Sequence, residues 1–141
     1  MINQPIIADA GIVAAYLNKK DQWHEWTLLQ LRNLPTPFLT CEAVITEACF
    51  LMQSKPDGKD DVLRMLADEV LQIKFSLADE VLQIKALMKK YKDVPMSLAD
   101  ACLVRMSEQI ENSTVFTTDS DFHIYRKNGK QKIDLIIPNE V

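Results

Sequence analysis

Pro5-Ile6-Ile7-Ala8-Asp9-Ala10-Gly11-Ile12-Val13-Ala14-Ala15-Tyr16-Leu17 holds the reading that decides the fold. Ile6, Ile7 and Ala8 form a short, continuous apolar run, the pattern of a strand buried on both faces. Ile12, Val13, Ala15, Tyr16 and Leu17 then fall at helical spacing, so a first helix follows after a tight turn at Asp9-Ala10-Gly11.

Beyond this stretch Asp21 is placed to cap a second helix carrying Trp23, Trp26, Leu29 and Leu31. Pro35 and Pro37 end it and frame a brief extended segment at Phe38-Leu39. Thr40 is expected to cap a third helix with Ala43, Val44, Ile45, Ala48, Leu51 and Met52 on its apolar side, and Pro56-Asp57-Gly58 breaks that pattern. A further helix starts near Lys59. Leu-Ala-Asp-Glu-Val-Leu-Gln-Ile-Lys then occurs twice, at 66–74 and 77–85, eleven residues apart.

An eleven-residue period suits one long helix from Lys59 to Tyr91. The preferred reading is a strand followed by a helix. Val70 to Phe75 alternates like a strand, and Ser76-Leu77-Ala78-Asp79 has the spacing of a capping box. Identical residues then take different conformations, because tertiary context overrides local propensity. After Pro95, Ser97-Leu98-Ala99-Asp100 opens another helix with Ala101, Leu103, Val104, Met106 and Ile110 inward. Thr114 to Thr117 reads as a strand, Thr118 to Phe122 as a polar turn into a short helix, Asn128-Gly129 as a hairpin turn, and Leu135 to Ile137 as a last strand. The alternation predicts a single α/β domain over 1–141, a sandwich with a mainly parallel sheet of four to five strands and helices on both faces.

Composition excludes several classes. With 141 residues, 48% hydrophobic and 26% charged, the chain is an ordinary globular domain rather than a disordered one. No apolar run approaches the roughly 20 residues of a membrane span, and Met1-Ile2-Asn3-Gln4 lacks the basic start of a secretion signal, so a cytoplasmic protein is expected. Three cysteines without a C-x-x-C pair suggest small core residues, not disulfides or zinc. A net charge of −4 argues against nucleic acid only weakly, because acids gathered around a cation invert the local field.

In an open parallel sheet, sites form beyond the carboxyl ends of the strands. Asp9 follows the first strand, and Asp119 with Asp121 follows the Val115-Phe116 strand. Asp9 also suits a helix N-cap, and Asp119 with Asp121 a solvated turn that caps the following helix, roles compatible with holding an ion through the second oxygen. Glu47 lies on a largely apolar helix face, where it would otherwise be an ordinary boundary residue. Asp100 stands third after Ser97, where an acid reciprocates a cap, and Asp79 repeats that setting letter for letter. The dense apolar helix and the nearby acidic turn favour Asp100 over Asp79.

Ile7-Ala8-Asp9, Thr46-Glu47-Ala48, Ser97-Leu98-Ala99-Asp100-Ala101 and Thr117-Thr118-Asp119-Ser120-Asp121-Phe122, in that order and spacing, resemble the PIN-domain ribonucleases, especially the VapC-like toxins of type II toxin–antitoxin pairs. The resemblance runs from Ile6 to Ile137. It implies a PIN-like three-layer sandwich that hydrolyses RNA at a Mg²⁺ or Mn²⁺ site, with Asp9, Glu47, Asp100 and Asp119 as acids and Asp121 as a supplementary ligand. It also implies a homodimer and a small antitoxin. Many members carry a hydroxyl residue after the first acid, where this chain has Ala10-Gly11. Clustered carboxylates raise one another's pKa, and hard divalent cations with a preference for oxygen relieve that repulsion.

The competing expectations are a catalytically inactive PIN-like module that binds RNA or protein, and a phosphohydrolase of small esters. The latter lacks an Asp-x-Asp-x-Thr nucleophile on the first strand. His24, on a polar helix face, and His123 read as structural or surface residues. Arg126, Lys127, Lys130 and Lys132 read as a solvated hairpin, or as phosphate contacts beside the acids. Trp23 and Trp26 read as core, or as an interface if exposed.

Overall fold

A computed structural model describes residues 4–141; the Met1 to Asn3 start, read above as lacking a secretion signal, lies outside them. Its centre is a five-stranded, wholly parallel sheet in the order β3-β2-β1-β4-β7, formed by β1 (Ile6–Ala8), β2 (Phe38–Thr40), β3 (Leu71–Ile73), β4 (Thr114–Phe116) and β7 (Leu135–Ile136). Ile7 pairs with Leu39 on one side and Val115 on the other, so β1 is central. All three of its residues are buried, as a continuous apolar run requires. A two-stranded antiparallel hairpin, β5 (Arg126–Lys127) and β6 (Gln131–Lys132), is inserted before β7.

Six helices cover the sheet: α1 (Ala10–Leu17), α2 (His24–Leu31), α3 (Glu42–Leu51), α4 (Gly58–Ala67), α5 (Val81–Lys90) and α6 (Leu98–Gln109). The helix α1 packs on α2, α3 and α4, while α6 lies against β1 and β4 and carries α5 outside it. This is the expected PIN-like α/β sandwich. Among the described residues no helix is long and apolar enough to cross a membrane.

The duplicated nonapeptide splits as strand and helix. Leu-Gln-Ile forms β3 in the first copy, whereas Val-Leu-Gln-Ile-Lys opens α5 in the second. Leu71 is buried beside β2, whereas its counterpart Leu82 is 72% exposed. The second copy turns a different side chain inward, Ile84, and its Glu80 accepts a hydrogen bond from Arg105 Nε of α6 at 2.6 Å. Edge pairing to β2 is available only to the first copy, and docking on α6 only to the second.

Several local expectations shift. Cys41 rather than Thr40 stands at the start of α3, because Thr40 completes β2 and its hydroxyl donates to Ala8 O at 3.1 Å. Asp21 accepts the Trp23 N–H at 2.8 Å, one turn ahead of a helix that begins only at His24. Leu29 and Leu51 face solvent instead of the core. His24 is buried, not on a polar face, and its Nδ1–H donates to Ala15 O at 2.7 Å, stapling α2 to α1.

Candidate metal centre

The chain leaves β1 toward β2 and β3 but leaves β4 toward β7. That reversal opens a crevice at the carboxyl ends of β1 and β4, the usual ligand position in open α/β sheets. Asp9 follows β1 directly and Asp119 follows β4 after two residues.

Asp9, a candidate site residue, is also a cap. It starts α1, its Oδ1 accepting the Ala10 N–H at 2.7 Å, while its Oδ2 accepts the Thr117 hydroxyl at 2.6 Å. Thr117 Oγ1 in turn accepts the Asp119 N–H at 3.0 Å, and Asp119 Oδ1 accepts the Asp121 N–H at 2.9 Å to begin a single 3₁₀ turn, Ser120–His123. One buried threonine thus fixes both acid-bearing loops.

Asp100 enters from α6. Ser97 caps that helix by accepting the Asp100 N–H at 3.0 Å, and the Tyr125 hydroxyl donates to Asp100 Oδ2 at 2.8 Å. The equivalent Ser76 accepts the Asp79 N–H at 3.3 Å, yet α5 begins only at Val81. Asp79 lies on an exposed turn and Asp100 is buried, so burial separates the two copies of the tetrapeptide where local sequence does not.

Carboxylate oxygens of Asp100, Asp119 and Asp121 lie within 4.8 Å of one another. Asp9 and Glu47 are not in that group, although the Asp100 charge acts on each of them. Burial above all, opposed by the Thr117 hydrogen bond and reinforced by Asp100 and Glu47, raises the Asp9 pKa to about 7. Asp100 is raised by burial and by Asp119, against the Tyr125 hydrogen bond. Glu47, on the solvent-accessible side of α3, is raised by partial loss of hydration and by Asp100 and Asp119. Asp121 is raised by the same two kinds of cause, desolvation and Asp119. Conversely, burial and the Asp100 carboxylate hold the Tyr125 proton on its oxygen. Among the described residues, the ion pairs of the protein lie elsewhere, at Asp60, Asp61, Glu80 and Glu108. Acids without a basic partner, offering only hard oxygen donors, fit a divalent cation such as Mg²⁺ or Mn²⁺.

Sequence reading missed Thr117 and Tyr125 as supports. Thr117 had a signal, a hydroxyl residue ending an apolar strand just before the acidic turn. Tyr125 had none, since its partner is 25 residues away. The basic tract divides: Arg126 Nη1 donates to the carbonyls of His123, Ile124 and Tyr125 at 2.7, 3.2 and 3.0 Å, a structural role, whereas Lys130 and Lys132 are exposed. Asn128 and Gly129 take φ of 51° and 83° in the hairpin loop, as that dipeptide predicts. Trp23 and Trp26 are partly buried, and Trp26 leans on Phe116 with centroids 5.7 Å apart. A separate apolar cavity of about 430 Å³ between α1, α2, α4 and the sheet is lined by Ile12, Val13, Phe38 and Leu71 and contains no carboxylate.

Comparison with known proteins bears on the fold and the family. The crystal structure of Mycobacterium tuberculosis VapC20, described as a sarcin-ricin loop cleaving toxin, matches with a TM-score of 0.67 over 82% of this chain and 91% of that one. At 20% identity this shows a shared fold. No curated protein matches the sequence. A family model of the PIN domain matches residues 6–128, and the chain therefore belongs to the PIN domain family.

Proposed function

We propose that this protein is a divalent-metal-dependent endoribonuclease, with Asp9, Glu47, Asp100 and Asp119 as its catalytic and metal-holding acids and Asp121 as a further ligand. The observation that carries the reading is the convergence of Asp100, Asp119 and Asp121 within 4.8 Å, from two separate segments, beside a buried Asp9. Mg²⁺ or Mn²⁺ bound there would offset the carboxylate charge and act as a Lewis acid toward a phosphodiester.

The protein side of the reaction follows from the geometry. Thr117 and Ala10 fix both oxygens of Asp9, so that carboxylate orients rather than moves. Tyr125 holds one oxygen of Asp100 and leaves the other free to bind. Glu47 is the most accessible of the four, and its raised pKa suits it to take and return a proton at its carboxyl. Exposed Lys130 and Lys132 supply positive charge for an RNA backbone.

Family membership and the likeness to a VapC structure support a finer reading. In it the protein is the single-domain toxin of a toxin–antitoxin pair, a homodimer acting on cytoplasmic RNA and held in check by a small antitoxin.

The test is cleavage of single-stranded RNA by the purified protein with Mg²⁺ or Mn²⁺, with EDTA, and with Asp119→Asn. Cleavage that requires the metal and is lost in the variant supports the reading. A protein that leaves RNA intact and whose melting temperature rises little with Mn²⁺ would instead be the inactive binding module.

A further inference from the structure

A hollow of about 520 Å³ is walled by Gly11, Asn18, Asp21, Gln22, Trp23 and Thr118. Gly11 stands two residues after Asp9 and Thr118 immediately before Asp119, and the Thr117 hydroxyl ties these two segments together at Asp9, so the hollow borders the two acid-bearing segments. A Cβ at Gly11 would come within 2.9 Å of Thr118 Oγ1, so the glycine leaves room for that hydroxyl at the mouth.

Trp23 is only partly buried and is braced rather than free. Its ring meets Trp26 edge to face at 6.5 Å, and Trp26 rests on Phe116 of β4. The Asp21 carboxyl pins the Trp23 backbone N–H at 2.8 Å. An accessible indole held this firmly is a stacking platform with little entropy left to lose. Beside it, Gln22 is exposed, and Asn18 uses its Oδ1 on the Lys20 N–H at 3.0 Å, which leaves its amide NH₂ group free to donate. An aromatic plane, side-chain amides and a hydroxyl are the groups that bind an unstacked base by its face and edge.

We propose that this hollow receives one base of single-stranded RNA adjoining the phosphate at the acids, stacked on Trp23 and read along its edge by Asn18 and Gln22. The inference rests on the ribonuclease reading and adds the source of its sequence preference.

The experiment uses the whole protein with Ca²⁺, a hard cation that offsets the carboxylates, and titrates short single-stranded oligoribonucleotides of differing base while following tryptophan fluorescence. We expect quenching on binding, affinity about tenfold weaker in Trp23→Ala, and a changed order of preference among the bases in Gln22→Ala. Gln22 is exposed, so its variant keeps the wild-type melting temperature and remains informative if Trp23→Ala unsettles α2. In the metal-loaded enzyme, Trp23→Ala should raise KM more than it lowers kcat. Unchanged affinity and base preference in both variants overturn the proposal, even where RNA is cleaved and the nuclease reading stands. Base-selective, Trp23-dependent binding by a protein that never cleaves would retain the subsite and discard the nuclease. A protein that binds no oligonucleotide at all overturns the subsite, and the hollow would then belong to a protein side chain.

Discussion

The Thr117 hydroxyl donates to Asp9 Oδ2 at 2.6 Å, closing a contact between the ends of two adjacent strands that are 108 residues apart in sequence. The same oxygen accepts the Asp119 N–H, so one side chain fixes the spacing of two acids. Thr117→Val keeps the shape and removes both bonds. Because the hydrogen bond from Thr117 lowers the Asp9 pKa, its loss should push that pKa higher still. It should also weaken Mn²⁺ binding by about 10- to 100-fold, the usual cost of a lost supporting partner. Calorimetric titration with Mn²⁺ checks this.

The raised Asp9 carboxyl makes metal-free stability depend on pH. Between the ordinary value of 3.8 and about 7, the folded state keeps a proton that the unfolded state has released. Stability should therefore fall as pH rises through that window and level off above it, by on the order of 4 kcal/mol in total. Urea denaturation in EDTA from pH 4 to 8 measures the slope, and Asp9→Asn should flatten it. Because the proton must leave before a cation binds, added Mn²⁺ should raise the melting temperature more at pH 8 than at pH 6.

Replacing one acid by its amide should abolish function while sparing the fold. Asp100→Asn, Asp119→Asn and Glu47→Gln should each lower RNA cleavage by orders of magnitude, with unchanged circular dichroism. Tyr125→Phe should be milder. Loss of its bond to Asp100 removes about 1 kcal/mol of stability and lets the carboxylate turn, so denaturation and cleavage should both show modest losses.

The duplicated nonapeptide supplies a matched pair of substitutions. Leu71→Ala empties a buried position in β3 and should cost about 2–5 kcal/mol. Leu82→Ala alters the same residue in the same local sequence, but at an exposed site, and should change stability by less than about 0.5 kcal/mol. Urea midpoints of the two variants decide it.

That contrast also marks how far sequence carried. Element type was legible wherever the pattern was strong, as in the β1 run Ile6-Ile7-Ala8 and the apolar α6. The strand-then-helix split of the repeat was legible only through the alternation of Val70 to Phe75 and the spacing of Ser76 to Asp79. Boundaries were poorly legible: Thr40 looked like a cap, but β2 needed it for the sheet. Asp9, Asp119 and Asp121 were visible as acids just after apolar strands, where a cap or turn explained them as well, whereas Glu47 and Asp100, inside helices, became candidates mainly through the family resemblance. What brings them together was not visible. Thr117 and Tyr125 act across long separations, and local sequence carries no record of such contacts.

The central claim is that the acids from β1, α3, α6 and the turn after β4 surround one divalent site. Crystals of the protein soaked in MnCl₂ test it directly, through anomalous scattering at the manganese edge. The account predicts a peak within about 2.5 Å of carboxylate oxygens from Asp100 and Asp119, the range of hard cation–oxygen bonds, with Asp9 oriented toward it. Well-ordered acids with no manganese among them would contradict it.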